Sequence, residues 1–147
     1  MTFLLQRTFG CLFLFFVVFS PTTLAESYAI VTSTPTPPAE KLTKTKAKLL
    51  FSGKVHTIPG IGKIELIDFP SGSEYRKEFY QKILRKSEGQ MKRIWSSIAF
   101  SGRAKPPTEM KSDDIELVHQ WLEQKPSAIG YLPISEIGGL NVLLEIH

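Results

Sequence analysis

The only cysteine in the sequence, Cys11, stands at the head of an apolar run ending at Phe19, so whatever folds without that run folds without a disulfide. Segment 1–25 has the build of an export signal. Arg7 is its one charge, Cys11 to Phe19 its apolar stretch, Ser20-Pro21 its break, and Thr23-Leu24-Ala25 supplies small residues for cleavage. The apolar stretch is shorter than the roughly 20 residues a membrane span needs. Cys11 also stands at the head of the stretch rather than after it, the wrong side for a lipid-anchoring cysteine. The expectation is a signal peptide over 1–25, no stable membrane span after its removal, and a bacterial periplasm as destination. The remaining 26–147 has the length of a single domain, and a chain of that size buries about two-thirds of its unfolded surface. A disulfide scaffold, a thiol enzyme and a cysteine–zinc site are excluded for it. After residue 25 there are seventeen basic and fourteen acidic residues, a formal charge of +3 with the signs interspersed. That balance gives no reason to expect nucleic acid as a partner.

Along 26–147 the patterns alternate between strand and helix. Tyr28 to Thr32 is a β-favouring run, closed by a Thr/Pro cluster through Pro38. A lysine-rich helix is predicted from Ala39 to Phe51, with Lys41, Lys44, Lys46 and Lys48 as a solvated face, ended by Ser52-Gly53. Lys63 to Phe69 reads as a strand entering a covered sheet. Pro70-Ser71-Gly72-Ser73 then leads into a helix with Tyr75, Phe79 and Ile83 on one stripe. Ser87 and Gln90 have the spacing of a capping box, opening a helix whose Met91, Ile94, Trp95, Ile98 and Ala99 face the core. Arg103 to Pro107 forms a basic extended loop, Asp113 to Gln124 a helix, and Ser127–Leu132 and Asn141–Ile146 two strands. The order β, α, β, α, α, α, β, β predicts a layered α/β fold, a mixed sheet with flanking helices.

One constellation stands out chemically. Gly72 between Ser71 and Ser73 at a helix start points free N–H groups, hydroxyls and the helix dipole one way, and Arg76 lies one turn on. Those groups suit an oxyanion. A plain cap and turn would use the same residues, with Arg76 paired to a neighbouring acid. Glu74, in the same first turn, opposes an incoming anion. His56, His119 and His147 have no metal-ligand spacing, no Gly-x-Ser-x-Gly or phosphate-loop motif occurs, and Asp113-Asp114 reads as a helix start. No catalysis and no cofactor are expected.

Several stretches together are similar to phosphate ABC transporter substrate-binding proteins and their short relatives. They are Leu50-Phe51-Ser52-Gly53-Lys54, Asp68 to Phe79, Trp95, Phe100-Ser101-Gly102-Arg103 with Pro106-Pro107, and Pro126 to Tyr131, spread over Leu49 to Leu132. The resemblance implies the periplasmic-binding-protein fold, of which this chain would supply one lobe. It implies Ser71, Gly72, Ser73 and Arg76 as ligand-binding residues for an inorganic oxyanion such as phosphate, with Glu74 where those relatives carry a neutral residue. An oxyanion held by one lobe would be bound weakly, or shared with a second copy or another protein. The alternative is a ligand-free interaction module on the same fold, docking a protein partner or a homodimer mate through Arg103 to Lys105 or the lysine helix.

Overall fold

The computed structural model describes residues 26–147; the expected signal peptide over 1–25 lies outside them. Seven strands and four helices follow in the order β1 (Tyr28–Thr32), α1 (Lys44–Phe51), β2 (Thr57–Ile58), β3 (Gly62–Lys63), β4 (Glu65–Asp68), α2 (Glu74–Phe79), α3 (Glu88–Phe100), β5 (Thr108–Glu109), α4 (Ile115–Gln124), β6 (Ala128–Pro133) and β7 (Asn141–Ile146). A wider π turn, Tyr80–Leu84, prolongs α2, and Arg85 ends it in the left-handed region at φ 55°.

Five strands form one sheet in the order β5-β4-β6-β1-β7. β4 runs parallel to β5 and β6, whereas β1 is antiparallel to β6 and β7. The sheet is mixed, as the alternation of helices and strands predicts. β1 lies between two partners, and all five of its residues are buried. Between the sheet and the helices sits an aromatic cluster centred on Tyr131, whose ring stacks on Phe79 at 3.6 Å between centroids and meets Phe51 and Phe69 edge-on or tilted. Such contacts add about 0.5–1.5 kcal/mol each beyond the area they bury.

Two expectations are corrected. The helix predicted from Ala39 begins at Lys44, because the Thr43 hydroxyl caps the Lys46 amide at 3.2 Å and the Leu42 amide is bound to the Leu143 carbonyl at 3.0 Å. The strand predicted over Lys63 to Phe69 is two strands. β3 pairs with β2 in a separate hairpin, and the chain then turns so that the Glu65 amide meets the Ser127 carbonyl in the main sheet. The predicted loop Arg103 to Pro107 is followed by an edge strand, β5, too short to leave a period in the sequence.

Candidate functional site

β4 ends at Asp68, and Phe69, only 2 % exposed, pins the chain before it turns outward. The Ser73 amide closes that turn on the Pro70 carbonyl at 3.1 Å. Gly72 sits at φ +89°, where a side chain would be strained although nothing crowds the position. The turn leaves the amides of Ser71 and Gly72 facing out of the fold, one residue apart.

Beneath them is a buried charge. Asp68 is 4 % exposed and accepts hydrogen bonds from the hydroxyls of Tyr80 and Tyr131, one on each carboxylate oxygen. Burial pushes its carboxyl up to about 6, and the Arg76 charge and the two hydroxyls hold it from rising further. Both tyrosines are driven well above their ordinary range, first by burial and then by the Asp68 charge, so both stay protonated as donors. Arg76 stands 3.4 Å from Asp68; burial works against its charge, but Asp68, Tyr80 and Glu109 together more than offset that and the guanidinium stays charged.

Arg76 links this buried acid to the turn. Its Nη1 donates to the Phe69 carbonyl at 3.0 Å and to Glu109 Oε2 at 2.9 Å. The other Glu109 oxygen accepts from the Ser71 amide at 3.1 Å. Hydrogen bonding from Arg76, then from Ser71, lowers the Glu109 carboxyl below its ordinary range. Glu88, in the first turn of α3, accepts from the Gly72 amide at 3.1 Å and lies 3.3 Å from Arg76 Nε. The donors expected to meet an oxyanion therefore meet two carboxylates of the same chain.

The four candidate residues fall into two groups. The Ser71 and Gly72 amides and the Arg76 guanidinium converge. The Ser73 hydroxyl does not join them: it is buried at the N-cap of α2, caps no amide, and has no hydrogen-bond partner. Glu74 is turned aside and pairs with Lys77 at 2.7 Å, so the opposing charge comes from Glu88 and Glu109 instead. Asp68, Tyr80, Tyr131, Glu88 and Glu109 complete the cluster and were not picked out by motif. A carboxylate closing the apolar run Leu66-Ile67 was the one available signal, since an acid in a covered strand needs partners. Among the described residues no group of three or more potential ligands could hold a metal ion, and no helix is long and apolar enough to cross a membrane.

Neither protein-family models nor curated proteins give a match to this chain. Solved structures do. An ABC-type phosphate transport receptor from Vibrio cholerae superimposes with a TM-score of 0.59 at 14 % identity, over 81 % of this chain and 46 % of the receptor. PstS from Borrelia burgdorferi gives 0.58 at 17 % identity, over 80 % and 46 %. A protein from Clostridium perfringens solved with bound phosphate, and described as a phosphate ABC transporter substrate-binding protein, gives 0.55 at 15 % identity, over 76 % and 42 %. The chain spans less than half the length of each. Residues 26–147 thus carry an α/β fold shared with phosphate ABC transporter substrate-binding proteins, and the strand-to-helix turn after β4 is where this chain brings the Ser71 and Gly72 amides and the Arg76 guanidinium together.

Proposed function

We propose that the protein is an exported, non-catalytic oxyanion-binding protein that works in the periplasm. It takes a phosphate-like anion on Ser71, Gly72 and Arg76, with the Ser73 hydroxyl joining only if it turns outward. The observation behind this reading is the cradle itself: two successive amides and one guanidinium within 3.3 Å of carboxylate oxygens. A carboxylate oxygen stands in for a phosphate oxygen in both charge and hydrogen bonding. Each charge-assisted bond contributes about 1.5–3 kcal/mol where water is excluded, and less at an open surface. A tethered carboxylate competes at an effective concentration in about the millimolar range or above, so free phosphate binds the wild-type chain weakly. Removing the competitors tests this. Isothermal titration with phosphate should show at least about a tenfold gain in affinity for Glu88→Ala/Glu109→Ala, lost again when Arg76→Lys is added and the two-pronged contact goes. No phosphate binding by the double variant would overturn the reading.

A second reading, a ligand-free interaction module, is favoured by the same self-filled cradle. Arg76 already faces Asp68, Glu88 and Glu109. Phe100, 97 % exposed at the end of α3 and just before the basic loop, offers the docking contact. On that reading the double variant binds no phosphate, and crosslinking of the protein to itself or a partner is lost in Phe100→Ser and Arg103→Glu.

A further inference from the structure

At the opposite end of β4 from the cradle lies a groove of about 860 Å³, bounded by α3, the start of β4 and the loop that leads into β5. That volume lies within the range of small-molecule sites, about 300–1,000 Å³. Its apolar lining includes Val55, Ile64, Trp95 and Ala104, and Lys63, Arg103 and Lys105 stand among them. None of these three cations forms an ion pair with a described residue. The one acid in the lining, Glu65, is already neutralised by Lys125 at 3.2 Å and accepts from the Thr108 hydroxyl at 3.3 Å.

Arg103 is also held in place. Its Nε donates to Ser101 Oγ at 2.8 Å, and that hydroxyl donates in turn to the Ile98 carbonyl at 2.8 Å at the end of α3. The two terminal nitrogens of the guanidinium form no hydrogen bond with a described residue. A fork positioned through its inner nitrogen, with its outer nitrogens free, is arranged to receive a carboxylate, sulfonate or phosphate.

We propose that this groove binds a small amphipathic organic anion. Its flat or aliphatic body lies on Trp95, Ile64 and Val55, and its acidic head meets Arg103, Lys105 and Lys63. Size, apolar lining and an uncompensated charge of one sign together select that chemistry; inorganic phosphate satisfies only the charge, and a neutral aromatic only the lining. This site shares no residue with the cradle, so it stands or falls separately from phosphate binding there.

The test is titration of the full-length 15N-labelled protein with 2-naphthoate, followed by amide and indole shifts. Saturable shifts at the Trp95 indole and at the amides of Arg103 and Lys105 are expected. Affinity should fall by about tenfold in Arg103→Gln/Lys105→Gln, whose fold is checked by an otherwise unchanged spectrum. The neutral 2-naphthylmethanol should bind at least about tenfold more weakly. Absence of saturable shifts, shifts centred on Ser71 and Gly72, equal binding of the neutral compound, or an undiminished double variant would each overturn the proposal.

Discussion

At Asp68 the chain keeps an ionisable group where ionisation is disfavoured. Its carboxyl titrates near 6 in the folded protein against 3.8 unexposed to the fold. A raised carboxyl binds its proton more tightly in the folded state, so its contribution to stability is complete below pH 3.8 and disappears as pH rises through about 6. The difference corresponds to about 3 kcal/mol at most. Glu109 acts with the opposite sign, since its lowered carboxyl stabilises above its ordinary 4.5 and fails only as pH falls below that. The urea midpoint of the wild type should therefore rise between about pH 7 and pH 5, and the rise should shrink markedly in Asp68→Asn. Parallel pH profiles for the two proteins would count against a buried, raised Asp68. Ser73 invites a second comparison. Its hydroxyl is buried without a partner, whereas the Ser87 hydroxyl caps the Gln90 amide at 3.2 Å. Ser87→Ala should lose about 1 kcal/mol, while Ser73→Ala should be neutral or slightly stabilising, because an unsatisfied buried group is removed. The contrast shows what was legible in the sequence. A hydroxyl three residues before a helical glutamine specifies its own partner, but Ser-Gly-Ser leaves open whether a hydroxyl faces water or the core. Glu88 and Glu109 reach the cradle from 16 and 38 residues away, which no local spacing encodes.

The elements followed the sequence wherever a period of several residues was available. β7 runs over Asn141–Ile146 as expected, and α3 opens on the capping box that Ser87 and Gln90 announce. In α3, Met91, Trp95 and Ile98 are buried as the stripe requires, but Ala99 is exposed and lines the groove. Elements of two residues, β2, β3 and β5, carry no period and were not visible. The start of α1 was misplaced because the Leu42 amide is taken by β7, a long-range contact that local propensity cannot report. The join between α1 and α3 makes the sharpest demand on one residue. Gly53 lies at φ +71°, and a Cβ there would come within 2.7 Å of Ile98 and 2.8 Å of Trp95. Gly53→Ala combines a left-handed backbone, about 1–2 kcal/mol, with overpacking, about 1–3 kcal/mol. A loss of roughly 2–5 kcal/mol in urea unfolding is expected. At Gly72, with open space around it, the same change should lose only the backbone part, about 1–2 kcal/mol. Equal losses at the two positions would show that packing between α1 and α3 contributes nothing at Gly53.

The described chain is joined end to end through one sheet. β1, which begins two residues into the described segment, lies between β6 and β7, and its Tyr28 pairs with both Pro133 and Ile146. β4, which carries Asp68 into the cradle, is attached to that arrangement only through β6, and on its other side it meets only the two-residue edge strand β5. The cradle therefore depends on strands that close over more than a hundred residues of sequence, and no part of the sheet can leave without unpairing another. Unfolding of 26–147 should consequently be a single transition, with tryptophan fluorescence from Trp95 and Trp121 and far-ultraviolet circular dichroism giving coincident midpoints. A variant ending at Leu140 sets the harder test. It loses the buried Leu143 and Ile146, the Leu143 carbonyl that binds Leu42, and every β1 hydrogen bond on that side. Two buried aliphatic side chains alone represent about 3–6 kcal/mol, comparable with the whole stability of an ordinary domain at about 5–15 kcal/mol. The truncated chain should show no cooperative transition, and in the Glu88→Ala/Glu109→Ala background it should no longer retain phosphate. A cooperative melt close to that of the intact protein would mean that β4, β6 and the helices hold the cradle without closure of the sheet by β7.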